Sequence, residues 1–241
     1  MTRASTEHQK ALLAVQKLDT RLARVAHERR TLPVHARISE LEAQAAGLER
    51  TRIEATTNRS DTSRELARIE HDVEQIHTRA TRHQDRLMAG ASAKEAQAIE
   101  NELALLTGRT AELEDLQLEQ MEKVEGFDSE LVRIAELIEQ CQSELTAAIG
   151  ERTKEFARID VEVRSLSTER EAIAAALPSD LIELYDEIRA ETGGLGAVAI
   201  HGTRTEGVSI DFSLSEIDAI NAAPPEEIVI SEEQGYILVR L

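Results

Sequence analysis

LMAGASAKEAQ, residues 87–97, holds a helix stop and a helix start only a few residues apart. Gly90 can adopt the left-handed backbone conformation that terminates a helix. Ser92 and Glu95 form the S-x-x-E pattern, in which each side chain satisfies an exposed amide at the start of the next helix. The reading is a tight reversal between two helices with Gly90 at its tip. Upstream, apolar residues recur at alternating spacings of three and four through Val15, Leu18, Leu22 and Val25, then Ile38, Leu41, Ala45 and Leu48, and on through Leu66, Ile69, Val73, Ile76, Ala80 and Leu87. Downstream the rhythm runs through Ile99, Leu103, Leu106, Leu113, Val124, Leu131, Ile134, Ile138, Cys141 and Leu145. After a four-residue stutter it resumes from Ile149 to Leu177. Such spacing is a coiled-coil seam. Residues 5–88 and 92–177 match in length, so the arms double back as an antiparallel hairpin, each about 125 Å long if straight, at about 1.5 Å per residue. Pro33 lacks an amide hydrogen and predicts a kink or short break near residues 31–35.

The composition agrees with this reading. Aromatic residues make up 2% of the 241, with no Trp, while charged residues make up 31%. Those proportions suit long helices better than a large globular core. The single cysteine, Cys141, excludes an intramolecular disulfide and fits a reducing compartment; it lies on the seam, where it reads as a small buried hydrophobe. No apolar run approaches the roughly 18 residues that span a bilayer, and the first residues lack the apolar core of a signal peptide. The expectation is a cytoplasmic protein with no membrane association.

Charge is distributed unevenly. Residues 1–90 carry 16 Lys and Arg against 13 Asp and Glu, residues 91–179 carry 9 against 20, and residues 180–241 carry 3 against 13, within a net charge of −18. A mildly basic first arm and an acidic second arm suit side-by-side packing. With the reversal at Gly90, residues whose numbers add to about 180 should face each other. That places Arg52 opposite the neighbourhood of Asp128 and Arg59 opposite that of Met121 with Glu122, where cross-arm ion pairs are expected; the alternative is that both guanidinium groups swing to solvent. Pairing between two chains would use the same seams, so both a monomer and a homodimer fit.

Pro178 stops the second arm. Asp180 with Glu183 reads as a capping box for the helix DLIELYDEIRAE, which Gly193 and Gly194 end. Four short strands follow, in AVAIH, TEGVSIDF, EEIVIS and YILVR, with a helix after Ser213 whose box partner is Glu216. The expected division is a hairpin over residues 1–178 and a small α+β domain over 179–241, so the fold class is mainly α.

Three stretches, DRLMAGASAKEAQAIENEL, ALPSDLIELYDEIRAETGGLGAVAI and TEGVSIDFSLSEIDAINAAPPEEIVISEEQGYILVR, resemble bacterial coiled-coil proteins with a C-terminal C4-type zinc ribbon, a family described as predicted nucleic-acid-binding. The resemblance covers nearly the whole chain. It implies two C-x-x-C knuckles, which here fall on Thr205 and Val208 and on Ser231 and Gln234. None of these is a cysteine, and zinc requires thiolate or imidazole ligands; His201 is the sole histidine of this segment. The chain therefore reads as a degenerate member with a metal-free, zinc-ribbon-like domain and no cofactor. Its folding must rest on apolar burial, through residues such as Val198, Ile200, Val208, Ile210, Phe212, Ile220, Ile230, Ile237 and Val239.

No nucleophile, base and orienting group cluster along the chain, so no enzyme is expected. His71, His77 and His83 recur every six residues and share no helix face, unlike metal-binding pairs four apart. Two functions follow. The first is an interaction scaffold that presents a rod and a metal-free ribbon to a protein partner the sequence does not name. The candidate interaction residues are Arg79, Arg82, Arg86, Gly90, Ser92 and Lys94 at the tip, the three arginines being the basic stretch that nucleic acid would use. The second is nucleic-acid binding, implied by the resemblance and opposed by the acidity of residues 180–241.

Overall fold

The structure, a computed structural model, describes residues 3–202, 204–208, 210 and 212–241, with Leu214 described by its backbone alone. The chain is mainly helical, a long helical hairpin with a small C-terminal sheet of four strands. Helix α1 (Thr6–Arg30) is opened by Ser5, whose Oγ accepts a hydrogen bond from the His8 amide at 3.2 Å. Helix α2 (Pro33–Met88) begins on Pro33 itself. Proline suits a first helical position because the amide it lacks would have no intrahelical partner there. The expected interruption is therefore a clean break at Thr31 and Leu32, with proline starting the new helix rather than bending an old one.

Gly90 sits at φ +98° between α2 and α3 (Ala93–Ala174), so the reversal falls where the sequence reading put it. The Glu95 carboxylate accepts from the Ser92 hydroxyl at 2.8 Å and from its amide at 3.1 Å. These two bonds lower the Glu95 pKa below the usual carboxylate value.

The chain divides into two compact units. One comprises Arg37–Ala148. Its seam buries Ile38, Leu41, Ala55 and Ile69 from α2 against Ile99, Leu106, Leu113, Ile134 and Cys141 from α3. Cys141 Sγ donates to the Leu41 carbonyl at 3.4 Å, so the thiol is a packed seam residue as expected. Facing residues add to 181 for Arg86 with Glu95, as the counting rule has it, but to 187 for Arg59 with Asp128, about two helical turns beyond the Met121 and Glu122 that counting set opposite Arg59. Arg59 grips Asp128 across the arms with Nε at 2.6 Å and Nη2 at 3.3 Å. Arg52 does not cross; it turns back to Glu49 one turn earlier on its own helix, at 2.5 Å. A local i, i+3 partner orders a single helix, so it competes well with a partner on the other arm.

The other unit joins Met1–Ala36 to Ile149–Leu241. Here lie α4 (Ser179–Glu191), β1 (Ala197–His201), β2 (Arg204–Thr205), α5 (Leu214–Ala222), β3 (Val229–Ile230) and β4 (Ile237–Arg240). The sheet order is β2-β1-β4-β3, with a parallel central pair in the register Ala197–Ile237 to Ile200–Arg240. Alternation sends Ala197, Ile237 and Val239 to one face, against Leu12 and Val15 of α1 and Leu181 and Tyr185 of α4. Ile200 and Leu238 face the other way, onto Ile220 of α5. The first helix of the hairpin is thus part of the core that the C-terminal sheet needs.

Three local expectations change. The Asp180–Glu183 box does not form: Pro178 occupies the cap position of α4 with no side-chain cap bond, and Asp180 Oδ1 accepts from the adjacent Leu181 amide instead. A prolyl cap has no side-chain acceptor to offer, so half the box is missing. The TEGVSIDF strand contracts to β2, while Ser209 and Asp211 lie outside the described residues. Ile230, expected to be buried, is 43% exposed on the edge strand β3. The Ser213–Glu216 box forms in full.

Candidate functional site

Polar groups cluster where α1 meets α3, α4 and β1. Gln16 and Asp19 share the inward face of α1 with Leu12 and Val15, and Asp19 is only 2% exposed. Asp19 Oδ1 accepts from Arg170 Nε at 2.7 Å, and Oδ2 accepts from the Tyr185 hydroxyl at 2.9 Å. Arg189 Nε stands 3.4 Å from Oδ2 without hydrogen-bond alignment, close enough to add its charge. Gln16 Oε1 accepts from the Gly196 amide at 2.6 Å, the Ala197 amide at 3.2 Å and the Tyr185 hydroxyl at 3.1 Å. Its Nε2 donates to the Gly194 carbonyl at 3.1 Å. Burial first, and the nearby Asp19 charge second, raise the Tyr185 pKa well above its ordinary value, so the phenol stays a neutral donor. This arrangement is a structural clasp: the donors and acceptors named here are turned on one another and on backbone.

Gly196 is squeezed by the same clasp. A Cβ there would lie 2.6 Å from Tyr185 Cε2 and 2.9 Å from the Tyr185 carbonyl oxygen. A ring can tilt, but a helical carbonyl cannot step aside. Gly196→Ala is expected to lower the unfolding free energy by about 1–3 kcal/mol, read from urea titrations against the unsubstituted chain.

Residues 4 and 9 are tied to the loop after α5 nearby. The Ala4 amide donates to the Glu226 carbonyl at 2.9 Å, and Gln9 Nε2 donates to the Pro225 carbonyl at 2.9 Å. Arg240 donates to the carbonyls of Ala223 at 2.6 Å, Pro224 at 2.7 Å and Glu227 at 3.1 Å. The side chain thereby gathers the end of α5 and the loop after it.

At the four knuckle positions the side chains bond within each pair. Thr205 Oγ1 donates to the Val208 carbonyl. Ser231 Oγ donates to Gln234 Oε1 at 2.9 Å, and its amide donates to the Tyr236 carbonyl at 2.9 Å. Hydrogen bonds thus close both turns. Hydroxyl, aliphatic and amide groups do not fit zinc. Among the described residues no three His, Cys, Asp or Glu side chains are placed to hold a metal ion. EDTA is expected to leave the melting temperature unchanged, and stoichiometric zinc in the purified protein would contradict that.

At the tip, Arg79 pairs with Glu102, and Arg86 lies 3.7 Å from Glu95, so both are drawn across the hairpin. Arg82, Lys94 and Gly90 are exposed, and Met88 is 85% exposed beside them. Ser92 is engaged with Glu95. The tip residues named from sequence therefore share one end of the hairpin without forming a single cationic patch.

A groove of about 1010 Å³ runs along α1 in the unit that contains the sheet, bordered by α3, β1 and the segment after β2. Leu13, Leu18, Leu166, Ile173, Val198 and Val208 line it, with Lys17, Arg21 and Arg24 on its α1 side. The sequence reading missed both the clasp and this groove. The one available signal was polar Gln16 and Asp19 at the i+4 and i+7 positions from Leu12, on a face that is otherwise apolar.

A helical hairpin whose first helix also completes a small C-terminal α/β cap defines a class of coiled-coil hairpin proteins. The chain belongs to the CT398-like coiled coil hairpin domain family, whose model matches residues 15–193. It is similar to Rv2229c of Mycobacterium tuberculosis, with 30% identity over 240 residues covering 99% of this chain and 98% of that protein. A solved structure from Mycobacterium smegmatis is 31% identical with a TM-score of 0.88, covering 99% of this chain and 100% of the other. CT398 from Chlamydia trachomatis shares the fold at 17% identity, with a TM-score of 0.75 and 98% of each chain covered.

Proposed function

We propose that the chain is a non-enzymatic, cytoplasmic interaction scaffold whose C-terminal sheet is a zinc-ribbon-like cap that needs no metal. The observation that carries this reading is the clasp around Asp19. It is the one buried polar cluster described above, and its groups are spent on joining α1, α3, α4 and β1. A catalytic constellation would instead need a nucleophile and a base turned toward a cavity. Among the described residues, no helix is long and apolar enough to cross a membrane. The scaffold reading leaves the tip and the cap surface as the places for a partner.

Affinity capture from the native cell with the full chain, followed by photo-crosslinking from Arg82 and Lys94, tests this. Recovery of a discrete protein crosslinked at the tip supports it, and turnover of a small molecule by the purified chain overturns it.

Nucleic-acid binding is the second reading. It is supported by Arg79, Arg82 and Arg86 on one arm and weakened because two of them already face glutamates. Labelled RNA or DNA at about 50 mM salt, where phosphate attraction is strong, decides it. A shift abolished by Arg79→Ala, Arg82→Ala and Arg86→Ala together would favour this reading over the scaffold.

A further inference from the structure

We infer that the groove beside α1 is a docking site for an acidic amphipathic helix of a protein partner. This inference rests on the scaffold reading and names the partner's chemistry. Lys17, Arg21 and Arg24 stand at i, i+4 and i+7, so they form one stripe along the α1 lip of the groove. Arg21 is held by Glu162 at 2.5 Å. Among the described residues, neither Lys17 nor Arg24 has an ionic partner within 4.0 Å. Glu169 and Glu206 also border the groove, which confines the cationic stretch to the α1 side.

An aliphatic floor with cations along one lip complements a helix that is apolar on one face and acidic along its edge. Charge complementarity chooses the sign. The chain carries a net −18, so a basic peptide would be attracted almost anywhere on it, whereas an acidic one finds a favourable field only at a local stripe such as this. The lining contains no aromatic side chain on which a base could stack, which favours peptide over single-stranded nucleic acid.

The probe is a fluorescent synthetic peptide of about 18 residues, with Leu at helical spacing and Glu elsewhere, titrated into the full chain by anisotropy. Its charge-reversed Leu/Lys twin is the comparison. The Leu/Glu peptide should bind, and the double variant Lys17→Glu/Arg24→Glu should weaken it at least about tenfold. Both side chains are exposed, so the melting temperature should hold; if it shifts, Lys17→Gln/Arg24→Gln replaces the pair. Equal binding to wild type and variant, or tighter binding of the Leu/Lys twin, overturns the assignment. Displacement of the peptide by a single-stranded RNA oligonucleotide that the variant also fails to bind does so too. If the groove fails while the full chain still captures a protein partner in cells, only this site is lost and the scaffold reading survives.

Discussion

Asp19→Ala is expected to lower the unfolding free energy by about 3–5 kcal/mol, the range seen when one member of a buried ion pair is removed and its partner stays behind. The substitution leaves Arg170 with Asp186 as its remaining partner and takes from Arg189 the carboxylate beside it, and the Tyr185 hydroxyl keeps Gln16 alone as a partner. Asp61→Ala on α2 provides the contrast, since its pair with Arg64 is exposed and within one helix. That change should cost well under about 1 kcal/mol. Urea titrations of both variants check the pair of values, and a loss at Asp19 no larger than at Asp61 would show that the clasp is not what joins these elements. Asp19→Asn should fall between them, because an amide can accept from Arg170 without neutralising it.

Separating residues 1–178 from 179–241 is expected to have a still larger effect. The shorter piece loses Leu12, Val15 and the Gln16 acceptor that satisfies the Gly196 and Ala197 amides. It should give the narrow amide dispersion of an unfolded chain in NMR spectra. The longer piece keeps its helices but uncovers the same α1 face, so it should bind a hydrophobic dye and self-associate. Mixing the two should restore dispersion if α1 is the missing element. A well-dispersed spectrum from 179–241 by itself would mean that the sheet has an independent core. For a segment so short, metals or disulfides usually supply the shortfall in apolar burial; here α1 supplies it.

Much of the hairpin was legible in the sequence because each of its determinants is local. Gly90, the Ser92–Glu95 pattern and the three-four spacing act over one or two turns, and a reversal point plus a length match fixes which residues face each other. Counting foresaw a cross-arm pair at this level but put Asp128 opposite Arg52; Arg59 takes it instead. Arg52 stays on its own arm, because Glu49 lies one turn away and competes with anything on the opposite arm. The clasp was illegible for a different reason. Gln16 and Asp19 are ordinary helix-surface residues by type, and their partners Arg170, Tyr185 and Gly196 lie more than 150 positions along the chain. Only the fold brings them together. The knuckle positions were located by resemblance, and the hydrogen bonds that close them could not be foreseen from that source.

The tie between Ala4, Gln9 and Gln16 and residues 194–226 carries a consequence for biosynthesis. Residues 4–16 leave the ribosome long before residues 194–226, and must wait for these to emerge before the apolar face of α1 is covered. At about 5–20 residues per second, that wait lasts roughly ten seconds or more. The middle of the hairpin, whose contacts are nearest in sequence at Gly90, can zip up during the interval, while nascent α1 remains a client for chaperones until residues 194–226 emerge.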